Sequence, residues 1–133
     1  MTIPANHIKL KRAYEKSVPG DGIRILVDRL WPRGVSKAEA ALDHWTKELA
    51  PSTELRQWFG HDPARWQEFR ERYRQEVHQH RDQLRQVRDL ARKGPVTLVY
   101  AARDEEHNEA VVLRNLLLGR SLRPSVKAIS PKP

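Results

Sequence analysis

Residues 94–108 read Gly94-Pro95-Val96-Thr97-Leu98-Val99-Tyr100-Ala101-Ala102-Arg103-Asp104-Glu105-Glu106-His107-Asn108. Gly94-Pro95 stops any helix before it. Val96 to Tyr100 is a continuous apolar run without polar alternation, the pattern of a strand buried on both faces. Strands of that kind belong to parallel sheets covered by helices. The run then hands over to small residues, to acids and to His107-Asn108. Open α/β sheets carry their sites at that handover, beyond the carboxyl ends of the strands. This stretch therefore predicts the fold class and where to look for a site.

A second run of the same kind, Ile23 to Val27, ends in Asp28-Arg29-Leu30-Trp31-Pro32-Arg33-Gly34. His7 to Arg12 alternates apolar and polar residues and reads as a short strand. The link between these two strands is dense in turn formers and too short for an ordinary helical crossover. Their pairing is left open. Ser36 to Glu39 has the spacing of a capping box and predicts a short helix. Leu42, Trp45 and Leu49 fall on one helical stripe and extend that helix or start another. Pro51 ends the segment, and Ser52 or Thr53 caps a further short helix through Trp58. Asp62-Pro63 is a helix start, with proline at the first helical position. Trp66, Phe69, Tyr73, Val77, Leu84, Val87 and Ala91 keep one helical phase from there. The stripe lapses at 78–81, which predicts a break. Asp104 is expected to cap a final helix with Ala110, Val111, Leu113, Leu117 and Leu118 in the core. Residues 120–133 contain three prolines and no periodicity, and read as a tail that is a candidate for disorder.

The expectation is one α/β domain over 1–119, of two or three layers, with a short, mostly parallel sheet and several helices. The length of 133 residues suits a single core. No cysteine is present, which excludes disulfides and thiol chemistry. No apolar run is long enough to span a membrane, and the first eleven residues lack a signal-peptide core. A cytoplasmic location is the default. The formal net charge of +8 favours anionic partners such as nucleotides, phosphorylated metabolites or nucleic acid. Residues 63–93 carry nine basic residues, eight of them arginine, against five acids. The acids are interleaved, which suits ion pairs along a solvated helix.

Chemistry concentrates in three places. Asp28 is a candidate base or ribose-binding carboxylate, and Arg29 and Arg33 are bidentate donors for phosphate or carboxylate. Trp31 is a stacking platform or a core plug. The alternative is an Asp–Arg ion pair that pins the loop. In the second motif Tyr100 closes the strand and Asp104 is a helix cap or a catalytic carboxylate. His107, near the start of a helix, would be held neutral as a base or donor by the helix dipole, and Asn108 orients a substrate or a loop. The third place is Trp58-Phe59-Gly60-His61-Asp62, where the aromatic pair walls a pocket or fills the core and His61 points inward or lies on top. No pair of these residues has metal-ligand spacing. Walker A, GxGxxG and GxSxG are all absent, so no cofactor is expected.

The chain also resembles a known bacterial family. Residues 24–34, Glu48-Leu-Ala-Pro51, residues 54–62 and residues 94–104 with His107-Asn108 are similar, in order, to domain of unknown function 488 (DUF488) in its YeaO-like branch. The resemblance covers about residues 7–118 and implies a small, standalone, cytoplasmic α/β protein. It supplies no reaction. A longer branch of the family ends one strand in Asp-Val-Arg and has Cys and His after a late strand. That comparison places Asp28-Arg29 near Tyr100 to His107 in this chain. The late cysteine is missing here, so thiol chemistry does not carry over.

Two functions remain open. One is a site for an anionic small molecule, with Asp28, Asp104 and His107 moving protons in a hydrolysis or group transfer. Arg29, Trp31, Arg33, Trp58, His61, Tyr100 and Asn108 would bind the ligand. The other is a basic nucleic-acid-binding or interaction module without catalysis, using the arginine-rich helical region. Oligomeric state is not legible.

Overall fold

A computed structural model describes residues 3–120. Four strands form one all-parallel sheet: β1 (Ile8–Arg12), β2 (Ile23–Leu26), β3 (His44–Trp45) and β4 (Val96–Tyr100), in the order β1-β4-β2-β3. The last of these strands along the chain is thus an inner one. Ile8 sits opposite Val96 and Arg12 opposite Tyr100, while Ile23 sits opposite Val96 on the other side. All five residues of β4 are buried, as its unbroken apolar pattern requires. β1 and β2 do not pair, because β4 lies between them.

Among the described residues, five helices complete the fold: α1 (Lys37–Ala40), α2 (Thr53–Phe59), α3 (Trp66–His78), α4 (Arg81–Lys93) and α5 (Glu109–Leu117). The four longer ones pack on one sheet face. Ile8, Ile25, Val27, Val96, Leu98 and Tyr100 meet Leu55, Phe59, Phe69, Tyr73, Val77, Val87, Ala91, Val112, Leu113 and Leu117 there. Each aliphatic side chain so buried contributes about 1.5–3 kcal/mol. The other face carries a thin cover of loops. Ala13, Leu26 and Val99 pack with Trp31, Leu42 and Trp45. Asp21 and Arg24 form a buried ion pair at 2.7 Å on the adjoining part.

The link between β1 and β2 crosses this second face. Lys9 Nζ donates to Gly20 O at 2.6 Å, Lys11 Nζ bridges to Asp21, and Thr97 Oγ1 donates to Asp21 O at 2.7 Å. Gly22 ends the crossing with φ +65°. A Cβ there would stand 2.2 Å from Pro95 O, so only glycine lets the loop approach the start of β4.

Several local expectations hold. Ser36 and Glu39 form the capping box of α1, Ser52 caps α2, and α3 breaks from α4 between His78 and Arg81. Others need correction. His44-Trp45 is a strand, not part of a helical stripe. Asp43 Oδ2 accepts from Arg24 N–H and Asp43 N–H donates to Arg24 O, which tie the segment to the edge of β2. The cap of α5 is Asn108, whose Oδ1 accepts from Val111 N–H at 3.1 Å. Asp104 instead closes the preceding turn, accepting from Glu106 N–H and His107 N–H. That shift places Val112 in the core and leaves Val111 and Leu118 half-buried. The expected tail, apart from Arg120, lies outside the described residues.

Candidate functional site

The chain leaves β2 toward the thin face and leaves β4 toward α5 on the helical face. Connections that part in this way open a crevice at the carboxyl ends of neighbouring strands. A cavity of about 340 Å³ lies there, and the two strand-end motifs line it together. Asp28, Arg29, Trp31 and Arg33 come from the loop after β2. His107 and Asn108 come from the segment after β4, and His61 from the turn after α2. Phe59 and Phe69, stacked at 4.4 Å, supply apolar wall. A second hollow of about 470 Å³, bordered by Tyr14, Glu15, Gly34 and Glu39, contains none of the candidate residues.

Asp28 and Arg29 are consecutive in the bend that follows β2, and their side chains reach different partners. Asp28 Oδ2 accepts from Ala101 N–H at 2.9 Å and so reaches the β4 side. Arg29 Nε donates to Pro51 O at 3.1 Å and Nη2 to Ala50 O at 3.4 Å, on the side that leads into α2. They do not form the loop-pinning pair that was an alternative. Arg33 and Arg56 are exposed at the rim, and no carboxylate among the described residues pairs with either. Trp31 lines the cavity and also plugs the thin face. Its Nε1 donates to Val35 O at 2.6 Å, and its ring meets Trp45 edge-on at 5.6 Å.

Three expected site residues lie outside the cavity lining. Tyr100 is buried at the end of β4, where burial raises its phenol above its ordinary value. Trp58 faces away, beneath the guanidinium groups of Arg72 at 4.4 Å and Arg65 at 5.3 Å. Asp104 acts through its neighbour: Oδ2 lies 2.9 Å from His107 Nδ1. The Glu106 N–H and the His107 ring hold the Asp104 carboxyl below its usual range. His107 immediately precedes the cap of α5 rather than lying in its first turn. A carboxylate on one side and the Trp66 ring, edge-on at 5.1 Å, fix its orientation. Asn108 is spent on the loop, its Nδ2 donating to Asp104 O at 2.8 Å. His61 is held at φ +58°, a left-handed conformation uncommon outside glycine.

The sequence reading missed Glu109, Arg56, Phe69 and Tyr14 as lining residues. Glu109 matters most. It is the first residue of α5, half-buried, and its Oε2 is sealed from solvent with no hydrogen-bond partner. Burial pushes its carboxyl well above the ordinary value, and the charge and hydrogen bonding of Asp28 push it further. Two carboxyls that meet away from water resist ionising together. Tyr73, buried beneath with its hydroxyl donating to Leu49 O, is pushed up by burial and then by both acids. The only available signal was indirect: a glutamate directly after a helix cap at a strand-end motif. Among the described residues, no group of three or more acids and histidines could hold a metal ion, and no helix is long and apolar enough to cross a membrane.

Comparison with known proteins places this geometry in context. A profile of the family described as "Inactive DUF488-N3 subclade" matches residues 7–132. "Uncharacterized protein YeaO" of Escherichia coli (strain K12) is 46% identical over 111 residues, covering 84% of this chain and 96% of the relative. "Uncharacterized protein Rv3073c" of Mycobacterium tuberculosis (strain H37Rv) is 42% identical over 113 residues, covering 85% and 95%. "Uncharacterized protein Mb3100c" of Mycobacterium bovis matches to the same extent. No solved structure matches.

Proposed function

Because the chain belongs to the DUF488 family, in the subclade described as inactive DUF488-N3, we propose that its cavity binds an anionic small molecule without turning it over. The observation that carries this reading is the grouping of Arg29, Arg33 and Arg56 around one cavity, two of them free of acidic partners among the described residues. A volume of about 340 Å³ sits at the lower end of ligand pockets, which suits a phosphorylated metabolite better than a large nucleotide. Trp31, Phe59 and Phe69 supply apolar contact. Asp28 and His107, the expected proton movers, are already held by Ala101 and Asp104, and the family description favours binding over hydrolysis or group transfer. The setting we infer is the cytoplasm.

The test is calorimetric titration with inorganic phosphate and small phosphate monoesters. Arg33→Ala and Arg56→Ala should each weaken binding about tenfold or more, since a charge-assisted contact contributes roughly 1.5–3 kcal/mol, and should leave the melting temperature within about two degrees. Unchanged affinity in both variants would remove the reading. Release of phosphate from a monoester would replace it with the hydrolase alternative.

Nucleic-acid binding ranks second. Along α3 and α4, Arg72, Arg74, Arg85 and Arg92 pair with Glu68, Glu71, Asp82 and Asp89 on the same helix, which leaves no continuous basic stripe. Salt-sensitive retention of duplex or single-stranded nucleic acid would reinstate it.

A further inference from the structure

The cavity has two poles. Arg29, anchored on Ala50 O and Pro51 O, and Arg56 on α2 make one side basic. Asp28, anchored on Ala101 N–H, and Glu109 at the head of α5 make the other side acidic. The acidic side is poorly matched to the fold alone. Both carboxyls are in the lining, and no basic or amide donor among the described residues reaches the sealed Oε2 of Glu109. Among the groups around the pair, the Tyr73 hydroxyl is turned to Leu49 O and His107 to Asp104, while Arg29 is held at Pro51. His61, Arg33 and Arg56 stand at the rim. No cation among the described residues neutralises the two acids directly.

We propose that the ligand is zwitterionic: a small molecule whose anionic group sits on the arginines and whose ammonium group sits on the Asp28–Glu109 pair. An ammonium supplies three donors and the positive charge that the pair lacks. On binding it displaces a proton from the pair, which passes to solvent, so charge balances. The inference rests on the anion-binding reading and adds the second half of the ligand.

The experiment compares O-phosphoethanolamine with ethyl phosphate, which has the same anionic group and no amine. Titrations at pH 7 in two buffers of different ionisation enthalpy count the protons released. The expected result is that the amine-bearing ligand binds about tenfold more tightly or better, with net proton release that ethyl phosphate does not produce. Glu109→Gln and Asp28→Asn keep the size of each side chain, and Asn can still accept from Ala101 N–H. In both variants the preference should fall to within about twofold, while ethyl phosphate binds as well as before or better. Equal affinity for the two ligands in the unmodified protein would overturn the zwitterion proposal and leave the anion reading standing. A preference that survives both substitutions would also overturn it. Failure of both ligands to bind would remove the anion reading, and this proposal with it.

Discussion

At the scale of single residues, the most consequential group is one whose sequence position looks routine. A glutamate in the first turn of a helix is normally a favourable partner for the helix dipole. Glu109 has that position, yet burial and the neighbouring Asp28 push its carboxyl well above the ordinary value. Its folded-state value lies above its unfolded one. Below the unfolded value both states are protonated and the residue is neutral toward stability. As pH rises past it, the unfolded chain ionises while the folded one retains its proton, so stability falls. Glu109→Gln, which cannot ionise, should therefore raise the melting temperature at pH 7–8 and converge with the parent near pH 4. A relief of about 1 kcal/mol moves the transition by roughly 3–6 °C in a domain of this size; equal melting curves at both pH values would refute the assignment. Asp21 has the opposite sign. Burial pushes its carboxyl up, but the Val18 N–H, Lys11 and Arg24 outweigh that and hold it low. Its contribution is present above the unfolded carboxylate range and is lost as pH falls through the folded value. Asp21→Asn should cost about 3–5 kcal/mol at neutral pH, because it leaves Arg24 buried without its counter-charge. Thermal or denaturant unfolding at pH 7 measures that loss.

At the scale of elements, caps and turns were the most legible features. Ser36, Ser52 and the 78–81 break all act as their sequence suggests, because each is decided within a few residues. The failures were decided across the chain. His44-Trp45 carries a helical stripe in isolation, but Leu26 and Asp28 settle it: Thr46 N–H donates to Leu26 O at 3.1 Å and Trp45 Nε1 to Asp28 O at 2.7 Å. Asp104 lost the cap to Asn108 because two nearby residues could serve and only the path of the loop chooses between them. The end of α1 offers a clean check on local reasoning. Ala41 stands at φ +47°, a left-handed angle that costs an L-residue about 1–2 kcal/mol. Ala41→Gly removes that strain at an exposed position while loosening the unfolded chain, which costs about 0.4–1 kcal/mol. A net gain of about 0.5–1 kcal/mol in urea unfolding is expected from the difference of those two effects.

At the scale of the whole molecule, the parallel sheet was readable from the apolar runs, whereas whether the motifs at their two ends share one cavity was not; only the resemblance to the longer branch of the family pointed to their nearness. The strand order was not readable either, since nothing local says that β4 inserts between β1 and β2. The bipolar character of the cavity was equally hidden, because it depends on which wall each of two neighbouring side chains meets. Gly22 is where the global arrangement presses hardest on one residue. Gly22→Ala must move the start of β4 or the loop across it, and a loss above about 2 kcal/mol is expected, read as a lowered urea midpoint. The insertion of β4 also sets an order of events. The strand that bridges β1 and β2 is among the last pieces of the chain to be made, so during synthesis from the amino end the first two strands wait as open edges. Helices α2, α3 and α4 can form on local contacts meanwhile, but the sheet closes only when residues 96–100 arrive, a long-range step that is intrinsically slow. Newly made chains are thus most exposed to mispairing in the interval before that final strand is threaded home.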